Sequence, residues 1–175
     1  KELTTAKSLA DSALSLSNKI KYHRGKGDAY YNLGYIYKLQ RKFSEAFPAF
    51  NEAIHYYDKI QDHIFHSKSL CLLGNIYEEF HDFKSAQLTY EEALAEAEDH
   101  YNETLIGDIY LSLAGVNLKF NRIAKASALI GKCIKLKEKS EQNDKLASAY
   151  YLSGKIEAKG KKLQKAENNF KKALA

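Results

Sequence analysis

Small and apolar side chains recur three, four and seven residues apart along this chain, and strict alternation is never sustained, so the pattern predicts α-helices throughout. A longer regularity runs above that one. The chain aligns with itself, without a gap, at a constant offset of 40. Gly34, Gly74, Ala114 and Gly154 share one register; Leu3, Phe43, Phe83, Ile123 and Leu163 share a second; Ala6, Ala46, Ala86, Ala126 and Ala166 a third. Ala13, Ala53, Ala93, Cys133 and Ala173 form a fourth. Large residues keep step as well, with Tyr30, Leu70, Tyr110 and Tyr150 at one place and Ala10, Phe50, Tyr90, Ile130 and Phe170 at another.

Each unit divides into two helical patterns. In the second unit, helix A covers about 63–80, a break falls at His81 and Asp82, and helix B runs over about 83–98. Analogous breaks are expected at Arg41 and Lys42, at Asn121 and Arg122, and from Gly160 to Lys162. Between units the chain is expected to turn at Gln61 and Asp62, from Asp99 to Asn102, and from Ser140 to Asn143, all polar stretches rich in capping residues. Ser44 is the expected N-cap of its helix, which leaves Pro48 costing the first turn at most one hydrogen bond. The Gly-Lys-Gly at 25–27 reads as a turn ahead of the first helix A. Residues 3–24 fit the helix B register with no helix A before them, so nine helices are expected in one array: 1–24, 25–62, 63–102, 103–143 and 144–175. The opening KELTTAKSLADSAL, and an end at Ala175 without a polar capping face, read as a piece of a longer protein.

Small residues at fixed places have a packing reason. Antiparallel helices approach to about 8 Å only where one side of the contact lacks bulk. Tyr30 and Leu33 on helix A, with Phe43, Phe50 and Ile54 on helix B, make half a core that the neighbouring unit must close.

Composition narrows the class. Of 175 residues, 45 % are hydrophobic and 28 % charged, which excludes disorder; 2 cysteines exclude a disulfide scaffold, and 1 proline and 9 glycines supply too few tight turns for a sandwich or barrel. No run approaches the roughly 18 apolar residues of a membrane span. Charge is uneven: residues 1–118 hold 12 basic and 17 acidic side chains, residues 119–175 hold 15 and 5. The stretch KCIKLKEKSEQNDK could attract phosphates or an acidic protein, although lysines on amphipathic helices most often form a solvated face, as does the acidic run from Glu91 to Asp99. Cys71 and Cys133 lack metal-ligand spacing and read as free thiols in a reducing compartment. His55, His63 and His66 have no carboxylate at ligand spacing, so no metal is expected, and no nucleophile-elbow, zinc-protease or phosphate-loop pattern occurs.

The spans YYNLGYIYKLQRKFSEAFPAFNEA and LCLLGNIYEEFHDFKSAQLTYEEA resemble the tetratricopeptide repeat signature: Leu-Gly, Tyr three residues later, Ala twelve after the Gly, an aromatic four further on and Ala three beyond. Unit 3 departs with Ala114 and Asn117, and unit 4 with Ser153 and Glu157. Forty residues per unit is similar to the extended repeats of kinesin light chains, polarity adaptors, bacterial peptide-pheromone receptors and bacterial sensor histidine kinases. The resemblance implies an all-α superhelix whose A helices line a concave groove for a protein or extended peptide, with no cofactor.

Turning the Gly and Leu stripe of each helix A inward leaves a second stripe for that groove. In the first unit it holds Asp28, Tyr31, Asn32, Tyr35 and Lys38, and in the second Lys68, Cys71, Leu72, Asn75 and Glu79. The third contributes Asp108, Leu111, Ser112 and Lys119, and the fourth Ser148, Tyr151, Lys155 and Lys159. Asn75 matches the place where extended members present an amide to a ligand backbone. Tyr31 and Tyr35 suit either a binding surface or packing between repeats, and they stand where a chaperone-tail clamp would need Lys and Asn. The expected function is a non-catalytic interaction module of a bacterial signalling protein such as a sensor histidine kinase. A peptide-pheromone-binding regulator is the alternative, and nucleic-acid or acidic-surface binding by the basic third is a disfavoured one. The cytoplasm is the expected compartment, or the periplasm if the parent is a membrane sensor.

Overall fold

The 40-residue period resolves into two halves of 20. In the computed structural model, which describes residues 2–139 and 143–174, the described residues form nine α-helices and no strand. They are α1 (Glu2–Lys19), α2 (His23–Leu39), α3 (Phe43–Lys59), α4 (His63–Glu79), α5 (Phe83–Asp99), α6 (Glu103–Lys119), α7 (Ile123–Lys139), α8 (Asn143–Lys159) and α9 (Leu163–Leu174). From α2 to α8 every helix has 17 residues. Wherever the link is described, it has three residues, and its middle one is left-handed: Lys21, Arg41, Gln61, His81, Tyr101, Asn121 and Lys161, with φ of 53 to 61°. Those seven residues stand 20 or 40 apart.

The hydrogen bonds explain the recurrence. At the end of α2, Arg41 N–H donates to the Lys38 carbonyl at 3.0 Å and Lys42 N–H to the Tyr37 carbonyl at 2.9 Å. This paired reversal ends a helix by satisfying its last carbonyls, and it requires one left-handed residue. The same two bonds recur at every other described link. None of the seven left-handed residues is glycine, so each holds a conformation that costs an L-residue roughly 1 kcal/mol. The last expected turn, from Ser140 to Asn143, falls largely on residues 140–142, outside the described residues.

Helix starts are less uniform. Asp62 Oδ1 accepts from Phe65 N–H at 3.1 Å, Asp82 from the backbone N–H and hydroxyl of Ser85, and Asn102 from Leu105 N–H at 3.2 Å. The bonds from Ser85 hold the Asp82 carboxyl below its ordinary range. Ser44 is not the N-cap expected of it: Lys42 occupies that position without a side-chain bond, and Ser44 lies inside α3. Pro48 removes the N–H that would have met the Ser44 carbonyl, and α3 continues through it. Gly25 and Gly27 are not a turn either. Both lie within α2, where a Cβ on Gly27 would sit 3.0 Å from the Tyr57 ring and one on Gly25 would run into Ser17 and Tyr22.

The small-against-large register carries the packing. A Cβ on Gly34 would come within 2.8 Å of the Phe50 ring, one on Gly74 within 2.5 Å of Tyr90, and one on Gly154 within 2.6 Å of Phe170. On α2 and α3 the matched positions advance by seven on one helix and retreat by seven on the other, from Gly27 with Tyr57 to Gly34 with Phe50, as an antiparallel pair must. The third unit carries Ala114 in place of Gly and Ile130 in place of the ring, both buried. A methyl gained on one helix is matched by a ring lost on the other.

The chain forms two compact units, one up to Glu96 and the other from Ala97. In the first, α1 packs on α2, α2 on α3 and α3 on α4, and α2 also touches α4. One core cluster joins Ala10, Leu33, Ile36 and Ala49; another joins Ala46, Phe50, Leu73 and Ile76. Each draws on helices from successive hairpins, which is how the half core of one hairpin is closed by the next. In the second unit α6 packs on α7, α7 on α8 and α8 on α9, and α6 touches α8. Cys133 is fully buried there, and burial pushes its thiol up to about 11.

Candidate functional site: the A-helix stripe

In the first unit the expected stripe of α2 and α4 separates into a closed floor and an open rim. Tyr31 belongs to the floor. Its ring meets Phe50, Tyr57 and Phe65 edge-on at 6.3, 6.5 and 5.8 Å, and burial raises its phenol. The packing role holds for this tyrosine. Cys71 is a correction: the projection put it on the open stripe, but it is only 9 % exposed, because α4 lies against α2 there. Asp28 is also engaged, accepting from the Tyr57 hydroxyl at 2.8 Å. Leu72 packs on the Phe50 cluster, and Lys68 Nζ sits 4.8 Å over the Phe65 ring.

The rim is made of the other residues. Tyr35 is 44 % exposed. Asn32 is exposed and donates to the Asp28 carbonyl of its own helix at 2.7 Å. Glu79 is exposed, with an oxygen 3.6 Å from Arg41. Lys38 is half-buried, and burial holds its ammonium below the ordinary lysine value while Cys71 and Glu79 pull the other way. Asn75 lies beside the Tyr90 hydroxyl at 2.6 Å, and the same hydroxyl lies 2.7 Å from Glu78. One hydrogen cannot serve both acceptors; with the Asn75 amide nitrogen turned toward Tyr90 and the hydroxyl donating to Glu78, all three groups are satisfied.

In the second unit Asp108 is not an open groove residue. Its two oxygens pair with Lys137, which is 1 % exposed, and with Lys145; Lys137 also donates to the Thr104 carbonyl at 3.3 Å. Leu111 and Ser112 are half-buried, and Lys119 is exposed. On α8 the stripe opens. Tyr151 is 55 % exposed, tilted against Phe170 at 5.8 Å, with Lys155 Nζ 5.6 Å over its ring. Ser148 and Tyr151 line a cavity of about 540 Å³ together with Phe170, Ala173 and Leu174. Lys159 is exposed and donates to the Leu118 carbonyl at 3.3 Å.

Several polar partnerships escape a helix-by-helix projection. His63 and His66 each place Nδ1 on Glu96, at 3.0 and 2.7 Å, which ties the start of α4 to the end of α5. The carboxylate missing from the local spacing stands thirty residues further on. Among the described residues no group of His, Cys, Asp and Glu has the arrangement to hold a metal ion. The Tyr110 hydroxyl donates to Glu98 at 2.9 Å, and that of Tyr150 to Glu138. These bonds and burial push both phenols up to about 12. A signal was available: Asp28–Tyr57 and Asp108–Lys137 are both 29 apart, and Tyr110–Glu98 and Tyr150–Glu138 both 12 apart, so polar pairs obey the repeat as the apolar ones do.

Part of the basic third is compensated within the unit. Lys139 pairs with Glu103, Lys162 with Glu157 and Lys171 with Glu167, while Lys172 lies 4.9 Å over the Tyr150 ring. No described helix is long and apolar enough to cross a membrane.

Comparison with known proteins agrees with this geometry. The apo form of RapI superposes with a TM-score of 0.90 at 17 % identity, covering 99 % of this chain and 63 % of RapI. Aspartyl phosphate phosphatase F from Bacillus subtilis gives 0.85 at 18 %, covering 99 % and 47 %, and BtubC from P. vanneervenii gives 0.82 at 17 %, covering 99 % and 73 %. The chain thus spans less than two thirds of RapI and about half of the phosphatase, and at these identities the likeness is one of fold. No curated protein matches. Residues 1–175 match the family described as the MalT-like TPR region, and with its all-α hairpins and 40-residue register the chain belongs to that family of helical-repeat proteins.

Proposed function

We propose that this chain is a protein-interaction module that holds an extended peptide segment against the open rim of its A helices. One observation carries the reading. Tyr35 stands 44 % exposed on a helix whose preceding turn is locked by the ring cluster of Tyr31, Phe50, Tyr57 and Phe65. A half-polar aromatic on a rigid floor has the composition of a binding hot spot, since little conformational freedom remains to be lost on binding. Asn32, three residues before it on α2, and Glu79, near Lys38 and Arg41 at the end of that helix, supply donors and acceptors for a peptide backbone and its side chains.

Titration calorimetry with pools of short peptides tests the reading. It predicts measurable heat with at least one pool, weakened tenfold or more by Tyr35→Ala and weakened also by Asn75→Ala. Silence with every pool, or binding indifferent to Tyr35→Ala, overturns it. We read the parent as a bacterial signalling protein of the sensor-kinase kind, supported by the 40-residue unit and by the shared fold with a Bacillus subtilis phosphatase. A full-length gene encoding only further repeats would end that part of the reading.

A further inference from the structure

A second cavity, of about 660 Å³, lies in the unit from Ala97 onward and shares no residue with the expected stripe. Its apolar walls are Ile106 and Tyr110 of α6 and Leu136 of α7; Lys132, Lys135 and Lys139 of α7 stand round them, and Glu98 and Glu103 complete the rim. The volume falls within the roughly 300–1,000 Å³ of sites that enclose small ligands or anchoring side chains. Lys132 Nζ rests 5.1 Å over the Tyr110 ring, and Lys139 reaches Glu103 at 2.9 Å, so two of the three cations are held at the mouth.

This lining sets the hairpin apart from the one before it, while part of it recurs in the next, where Lys172 lies over the Tyr150 ring at 4.9 Å. Forty residues earlier, the positions of Lys132, Lys135 and Lys139 are filled by Glu92, Ala95 and Asp99, and that of Ile106 by His66. The repeat register has been kept while the charge is reversed and the floor made apolar. Of the five lysines of α7, Lys132, Lys135 and Lys139 line the cavity while Lys137 is buried on Asp108, so against Glu98 and Glu103 the lining keeps an excess of one positive charge.

We propose that this cavity docks an acidic peptide segment of a partner protein. A large apolar side chain of the segment fits between Ile106 and Leu136 against Tyr110, and its flanking carboxylates meet Lys132 and Lys135. Rim glutamates beside lysines suit a peptide, which brings N–H donors along with carboxylates. A purely anionic ligand would gain nothing from Glu98 or Glu103.

Fluorescence anisotropy with the whole chain and a labelled Glu-Leu-Glu-Phe-Glu-Glu peptide tests this. We expect saturable binding, weakened at least tenfold in Lys132→Glu/Lys135→Glu, weakened comparably when Leu and Phe of the probe are replaced by Ser, and unchanged in Lys165→Glu. Tyr35→Ala is also without effect here, which separates this site from the A-helix rim. Absence of binding overturns the proposal, and so does equal weakening by Lys165→Glu, since the attraction is then net charge alone. Indifference to the apolar side chains of the probe contradicts the cavity's part in it. All three lysines changed lie on exposed positions, so the variants are expected to fold, which circular dichroism checks.

Discussion

The hairpin α2–α3 and the hairpin α6–α7 use one slot for two chemistries. In the first, Tyr57 passes over Gly27 and its hydroxyl donates to Asp28; in the second, Lys137 passes over Gly107 and its ammonium pairs with Asp108. Both long side chains are buried, at 0 % and 1 % exposure. What the register preserves is a shape, a helix without a side chain facing a long one that ends at an acid. A neutral phenol and a cation both satisfy it. The energetic stakes differ, because an uncharged hydroxyl left alone loses one bond whereas a buried ammonium left alone is an uncompensated charge.

The largest expected effect follows from that contrast. Asp108→Ala removes the counter-charge of Lys137 and is expected to cost about 3–5 kcal/mol in urea unfolding, while Lys137→Met, which removes the charge itself, stays within about 1 kcal/mol of the parent. Asp28→Ala leaves only the Tyr57 hydroxyl unpaired and is expected to cost about 1–3 kcal/mol. Equal losses from the two aspartate changes would show that the slot does not distinguish its occupants.

Packing comes next. Gly74→Ala drives a methyl into the Tyr90 ring and should cost about 1–3 kcal/mol, whereas Gly131→Ala on α7, where a Cβ would meet nothing within 4 Å, should gain roughly 0.5–1 kcal/mol through helix propensity alone. Melting temperatures moving in opposite directions check both.

A pH titration sharpens the comparison further. Tyr110 has a phenol pushed up to about 12 by burial and Glu98, and its counterpart forty residues earlier is Leu70, which has nothing to titrate. Below pH 10 folded and unfolded chains both keep the phenol proton. Between about 10 and 12 the unfolded chain releases it and the folded one does not, so stability falls as pH rises through that window. Tyr110→Phe is expected to flatten this part of the stability curve, and an unchanged slope in that variant would contradict the assignment.

The contrast between hairpins also explains what was legible in the sequence. Helices, period and the Gly-against-aromatic register could be read because each repeats, and residues such as Gly34 and Phe50 carry their size wherever the chain puts them. The stripe was legible only in part. Projecting α2 or α4 alone shows which side chains share a face, but Cys71 and Tyr31 are covered by residues of other helices, and Asp28 and Asp108 are claimed by residues 29 positions away. Tyr35 and Tyr151 stay exposed, Tyr151 with one ring, Phe170, against it where Tyr31 has three. Capping failed at Ser44 for a local reason: the chain leaves its left-handed turn at Arg41, so the helix begins at Phe43 whatever capping side chain follows. Glycine near a helix start marks either a turn or a close approach, and what decides is the position of Tyr57 for Gly27 and of Ser17 and Tyr22 for Gly25.

Each helix pair is a matched set of small and large residues on one register. The third unit, with Ala114 and Ile130, offers a natural exchange for Gly34 and Phe50. A double-mutant cycle of Gly34→Ala with Phe50→Ile tests it by urea unfolding. Matched packing predicts that the double variant loses at least about 1 kcal/mol less than the sum of the single losses. Losses that simply add would contradict it.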